Sequence, residues 1–197
     1  AQLSIVEGHL IAAAELYRNG MKEDAIALSH HPEAEMMDAV RAALAAHGAK
    51  DITPDMQAFS AAMEADEPTE AVDAALVNVR EAIAAAQASE ASAVKTRFAA
   101  LTLLVKAASE EYAGSLAEGK VDDLMAYNEA HAFILSARDL ATGLQGVAEK
   151  PAGRILEALK GADEAFGDLT SATPEARDPA ILAAIAAKVE LIGNSVH

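Results

Sequence analysis

Leu3-Ser4-Ile5-Val6-Glu7-Gly8-His9-Leu10-Ile11-Ala12-Ala13-Ala14-Glu15-Leu16-Tyr17 is the stretch whose reading decides the fold. Leu3, Val6, Leu10, Ala13 and Tyr17 recur at helical spacing, and Ile5, His9, Ala12 and Leu16 make a second stripe beside them. At about 100° per residue the stripes merge into an apolar arc roughly 180° wide. Ser4, Glu15 and Arg18 lie opposite, with Glu7 at one edge. A helix with so wide an apolar face must pack on other helices. His9 falls inside the arc, where an unpaired imidazolium is expensive to bury, so it is hydrogen-bonded, metal-bound or neutral. A core histidine donating to a carbonyl or carboxylate and a metal ligand are both open readings.

The pattern continues along the chain. Arg18-Asn19-Gly20 ends the first helix, with Gly20 as its left-handed cap. Met21 to Leu28 reads as a short second helix ended by Ser29-His30-His31, and Pro32 as the first position of a third, running to about Ala46 and closed by His47-Gly48. Thr53-Pro54 starts a helix through about Ala65, and Asp66-Glu67-Pro68-Thr69 turns into one with the seam Val72, Leu76, Val79 and Ile83. Ala84 to Ser92, small and polar, is the place for a turn, a kink or a subdivision. Val94, Phe98, Leu101, Val105, Ala108 and Tyr112 form a long seam ending near Gly114 or Gly119, and a helix over 121–147 follows. Glu149-Lys150-Pro151 reads as a break, Ile155, Leu159 and Phe166 as a helix ended by Gly167, and Thr173-Pro174 and Asp178-Pro179 as two start signals before Ile181, Ile185, Val189 and Ile192. No second copy at a fixed period is evident. The expectation is an all-α, up-and-down helical bundle of about seven to nine helices, opening with helical hairpins and forming one domain over residues 1–197.

Composition agrees. The 197 residues are rich in alanine, with 4% aromatics and no tryptophan. Alanine favours closely packed helices, and β-branched and aromatic residues are too sparse for a sheet of any size. A net charge of -16 argues against nucleic-acid partners and anionic membrane surfaces. Most carboxylates belong on solvated helix faces. Without cysteine there are no disulfides, thiolate ligands, iron–sulfur clusters or thiol nucleophiles. No apolar run is long enough for membrane insertion. The start at Ala1-Gln2 predicts a mature periplasmic or secreted protein after signal-peptide removal.

Four of the six histidines sit where a bundle could gather them. His30, His31, Glu33 and Glu35 lie at the corner into the third helix, and His30-x-x-Glu33 has one-turn spacing but straddles Pro32. The candidate metal site is His9, His31, Glu35 and His131, with Glu7 accepting the other N–H of an imidazole. Histidine with carboxylate suits iron, manganese or zinc. Met36 and Met37 add copper, although methionines more often fill cores. In its helix His131 shares an apolar stripe with Tyr127, and Arg138 lies two turns further on. Tyr127, His131 and Arg138 are either an interhelical hydrogen-bond cluster or the lining of a cofactor pocket. A noncovalent haem clamped between histidines is a weaker alternative, because few aromatics are available to line its pocket. His47 and His197 are expected to be exposed and outside any site.

No phosphate loop, Gly-x-Ser-x-Gly elbow, His-Glu-x-x-His pair or ferritin-like Glu-x-x-His pair occurs, so no enzyme is expected. The expected function is that of an exported, nonenzymatic protein binding a metal ion or metal complex for uptake, storage or sensing. The alternatives are a module for a protein partner and a carrier of an apolar molecule.

Gly8-His9-Leu10 through Leu16-Tyr17, then Gly20 and His31-Pro32-Glu33, resembles exported helical-bundle proteins of proteobacteria. His30-x-x-Glu33 is similar to the His-x-x-Glu of imelysin-like periplasmic iron-uptake proteins, without the Gly-rich and aromatic surroundings of that motif. The resemblance covers a few residues and implies an exported helical bundle, without carrying over the activity of the iron-uptake proteins.

Overall fold

The computed structural model describes residues 2–89 and 94–196; the expectation for His197 lies outside them. Among the described residues the chain is all-α apart from one short hairpin, and it divides into two compact units, residues 2–92 and 93–197.

The first unit holds α1 (Gln2–Arg18), α2 (Lys22–Glu35), α3 (Met37–Ala46), α4 (Thr53–Glu64) and α5 (Thr69–Ser89). α1 packs on α2 and α5, and α4 packs on the same two, so α1–α2–α4–α5 close into a ring with α3 attached to α2. Val6, Leu10 and Leu16 from α1 meet this core, which also takes Leu28, Phe59, Met63, Val79 and Ile83. Gly20, at φ +80°, turns the chain out of α1 as its position requires.

Pro32 does not start a helix. α2 runs through it, because a proline near a helix end forfeits one hydrogen bond, its own missing N–H to Leu28 O, while the turns on either side persist. The break comes at Met36, whose φ of -138° leaves the helical range while its N–H still reaches Pro32 O at 3.1 Å. His30, His31, Glu33 and Glu35 therefore share one helix. Ala84 to Ser89, expected as a turn or kink, continue α5, as the high helix propensity of alanine favours; the rest of that stretch is outside the described residues.

The second unit holds α6 (Val94–Gly114), a hairpin of β1 (Leu116–Ala117) and β2 (Lys120–Val121), α7 (Leu124–Leu144), α8 (Glu149–Leu159), a 3-10 segment (Lys160–Ala165) and α9 (Ala180–Asn194). α6 packs on α7 and α9, and α8 on α7 and α9, which gives a second four-helix ring. Phe98, Leu101, Val105, Phe133, Ile155, Leu159, Leu182 and Val189 fill it. The hairpin pairs Leu116 with Val121 and Ala117 with Lys120 around Glu118 (φ +50°) and Gly119 (φ +74°). Two successive positive φ values give the mirror-image turn that suits strand twist.

Two further proline readings change. Glu149-Lys150-Pro151 does not break the chain but forms the first turn of α8, where a missing N–H costs nothing. Thr173-Pro174 starts no helix; α9 begins after Pro179, where the Asp178 carboxylate accepts from Ala180 N at 2.9 Å.

Candidate metal centre

His9 lies on the inner face of α1 and is 5% exposed. Its Nδ1 is 2.9 Å from the carbonyl of Ile5, one turn earlier. A carbonyl only accepts, so Nδ1 carries a proton, and in the neutral ring Nε2 holds the lone pair. Nε2 lies 4.0 Å from Glu35 Oε2, and the His9 and His31 rings stand 6.3 Å apart at 64°. Glu35 is largely exposed and His31 half-buried, so this group opens to solvent at the seam of α1 and α2. Of the five residues of the expected metal set, His9 thus has His31 and Glu35 as separate neighbours within the first unit.

Glu7 has another partner. Its Oε1 accepts from Arg80 Nε of α5 at 2.8 Å, and the Ile5 carbonyl takes the orienting role at His9. Arg80 is the sole basic residue of α5, but nothing local in the chain pairs it with Glu7, 73 residues away. Beside the group, His30 Nε2 is 3.0 Å from Glu64 Oε1, and Gln57 Nε2 donates to Glu33 at 3.2 Å. The two ends of His30-x-x-Glu33 are therefore engaged with α4. Met37 is fully buried, as core filling requires. Among the described residues no group of three or more His, Asp or Glu side chains is placed to hold a metal ion.

His131, the fifth member, belongs to the second unit. It meets Phe166 edge-on at 5.1 Å between centroids. Tyr127 Oη accepts from Gly167 N at 2.7 Å, and Arg138 Nη2 donates to Leu159 O and Asp163 Oδ1, both at 2.8 Å. All three α7 side chains thus grip one stretch, Leu159–Gly167, from the last residue of α8 onward. Tyr112 from α6 joins them, donating to Ala165 O at 2.6 Å and accepting from Arg177 N at 2.9 Å. Tyr112, Tyr127 and Phe166 stack within 5.4–5.6 Å. Burial pushes both phenols above their ordinary pKa, against the pull of the N–H groups of Arg177 and Gly167. Fourteen residues without α-helix or strand (166–179) follow the 3-10 segment and are held by these hydroxyls.

Among the described residues, no helix is long and apolar enough to cross a membrane. No curated protein and no solved structure matches the chain. A family model does, over residues 87–196, the span that contains α6, α7, α8 and α9. That model describes a 4-helix bundle, and it covers more than half of the 197 residues: the chain belongs to the iron permease-associated 4-helix bundle domain family.

Proposed function

We propose that this protein binds a transition-metal cation, iron first, as cargo at His9, His31 and Glu35, and that it does so as an exported, nonenzymatic component of an iron-uptake system. One observation carries the reading. A buried imidazole has its Nδ1–H committed to a backbone carbonyl, and its Nε2 is directed to a seam shared with a second imidazole and a carboxylate. Two imidazoles with nitrogens about 2.1 Å from one ion have ring centres about 5.3 Å apart at the tetrahedral angle. The observed 6.3 Å requires the half-buried His31 ring to move about 1 Å closer to His9 on binding. The carboxylate needs only a rotamer change, which its exposure permits. Two nitrogens and a carboxylate suit Fe(II), Mn(II) or Zn(II), and with Met37 buried there is little to favour Cu(I).

Charge supports the same reading. Residues 2–92 hold 5 of the 15 basic and 16 of the 31 acidic side chains, so about two-thirds of the net charge lies in the stretch that carries this seam. A negative field of that kind raises the local concentration of cations. The family's description, matched over residues 87–196 and so outside this seam, supports iron as the cargo of the chain and a permease as the partner class. The resemblance to exported helical proteins supports a site of action outside the cytoplasm.

The test is metal content by mass spectrometry after anaerobic loading with Fe(II), comparing the protein with a His9→Ala/His31→Ala variant whose helicity is checked by circular dichroism. Near-stoichiometric iron that the variant loses is the expected result. Substoichiometric metal in both, with Fe(II), Mn(II) and Zn(II) alike, overturns the proposal.

A further inference from the structure

Each unit is a ring of four consecutive major helices, and the correspondence extends beyond ring order. The chain has three tyrosines. Two of them, Tyr17 and Tyr112, stand in the last turns of α1 and α6, the first helices of their rings, at 3% and 0% exposure. Tyr17 Oη donates to Glu67 O at 2.7 Å, with Asp66 Oδ1 3.3 Å away. Glu67 immediately precedes Pro68, the residue before α5. Tyr112 Oη donates to Ala165 O and meets both N and O of Arg177, two residues before Pro179, the residue before α9.

In both units, then, the first helix ends in a buried tyrosine whose hydroxyl ties the connection between third and fourth helices just ahead of a proline. The third helices also match, with Pro54 second in α4 and Pro151 third in α8. Glycines at positive φ, Gly20 and Gly119, turn both first connections. Prolines at helix starts and glycines after helix ends are common and would say little alone. A long-range hydrogen bond from the same place to the same place is specific.

We infer that residues 2–92 and 93–197 are two copies of one bundle, with α1–α2–α4–α5 answering to α6–α7–α8–α9 and α3 an addition, and that only the first copy takes a cation. The second clause rests on the metal site proposed above. Eight residues before each tyrosine stand His9 in one copy and Leu104, fully buried, in the other. The second copy thus lacks the imidazole on which the first copy's site is built.

Hydrogen exchange by mass spectrometry on the full chain, with Tyr17→Phe and Tyr112→Phe, tests the correspondence. Losing one buried hydrogen bond speeds opening of the segment it holds about fivefold. In Tyr17→Phe the rise is expected over 66–72, and in Tyr112→Phe over 165–183, each leaving the other copy at its original rate. A connection that keeps its original rate, or a rise spread over both copies, overturns the duplication. Fe(II) counting on the same samples tests the division: about one ion per chain, lost in His9→Ala and kept in His131→Ala, is expected. Two ions per chain overturn the division. No bound ion overturns the metal site and leaves the exchange result standing.

Discussion

Tyr112 uses one hydroxyl to donate to Ala165 O and accept from Arg177 N, so Tyr112→Phe removes a donor to a buried carbonyl and leaves a part-buried N–H without its acceptor. The expected loss is about 1–3 kcal/mol in urea unfolding; a loss within error would show that water replaces the hydroxyl. The same environment sets an alkaline limit. Tyr112 and Tyr127 are raised above the ordinary 10.0 because burial disfavours the phenolate. Their stabilising contribution is whole below that value, where both states are protonated, and drains as pH rises through the folded-state values, because the unfolded chain ionises first. Unfolding midpoints should therefore fall above about pH 10, and fall less steeply in Tyr127→Phe. Equal slopes would refute the assignment. At this scale the chain was partly legible: His9 was marked as anomalous by its place on an apolar arc, yet its partner Ile5 O is a backbone atom that no side-chain pattern could announce.

Helices were the most legible level, because periodicity and caps are local. α4 and the end of α1 lie where Thr53-Pro54 and Gly20 put them. The misreadings share a cause: Pro32, Pro151 and Pro174 each carry the same local preference, and neighbouring packing decides whether proline is tolerated within, starts or stays outside a helix. α7 starts at Leu124 rather than Val121, because Val121 pairs in the hairpin and Asp123 caps the helix by accepting from Ala126 N at 3.0 Å. Asp123→Ala should cost about 1 kcal/mol, read as a lower thermal midpoint. In the hairpin turn Glu118 holds φ +50°, which asparagine adopts more readily. Glu118→Asn is expected to stabilise the chain by about 0.5–1 kcal/mol, and a neutral or destabilising result would count against that turn geometry.

For the molecule as a whole, a net charge of -16 means that self-repulsion opposes folding. Raising salt from about 0.01 M to about 0.15 M shortens the screening length from about 30 Å to about 8 Å. The thermal midpoint should rise across that range; a fall would mean that ion pairs such as Arg80–Glu7 and Lys106–Glu190 outweigh the repulsion. The all-α class, the absence of thiol chemistry and the positions of most helices were determined by the sequence alone, since composition, 3.6-residue periodicity and caps act over a few residues. Only the tertiary structure decided that α1–α2–α4–α5 and α6–α7–α8–α9 close as separate rings, and that Glu7 is taken by Arg80. It also decided that His31 and Glu35 come to His9, while Tyr127, His131 and Arg138 grip the chain from the last residue of α8 onward. Those outcomes depend on which helix faces meet across twenty to seventy residues of chain, and that is settled by the packing of whole apolar faces rather than by any short pattern.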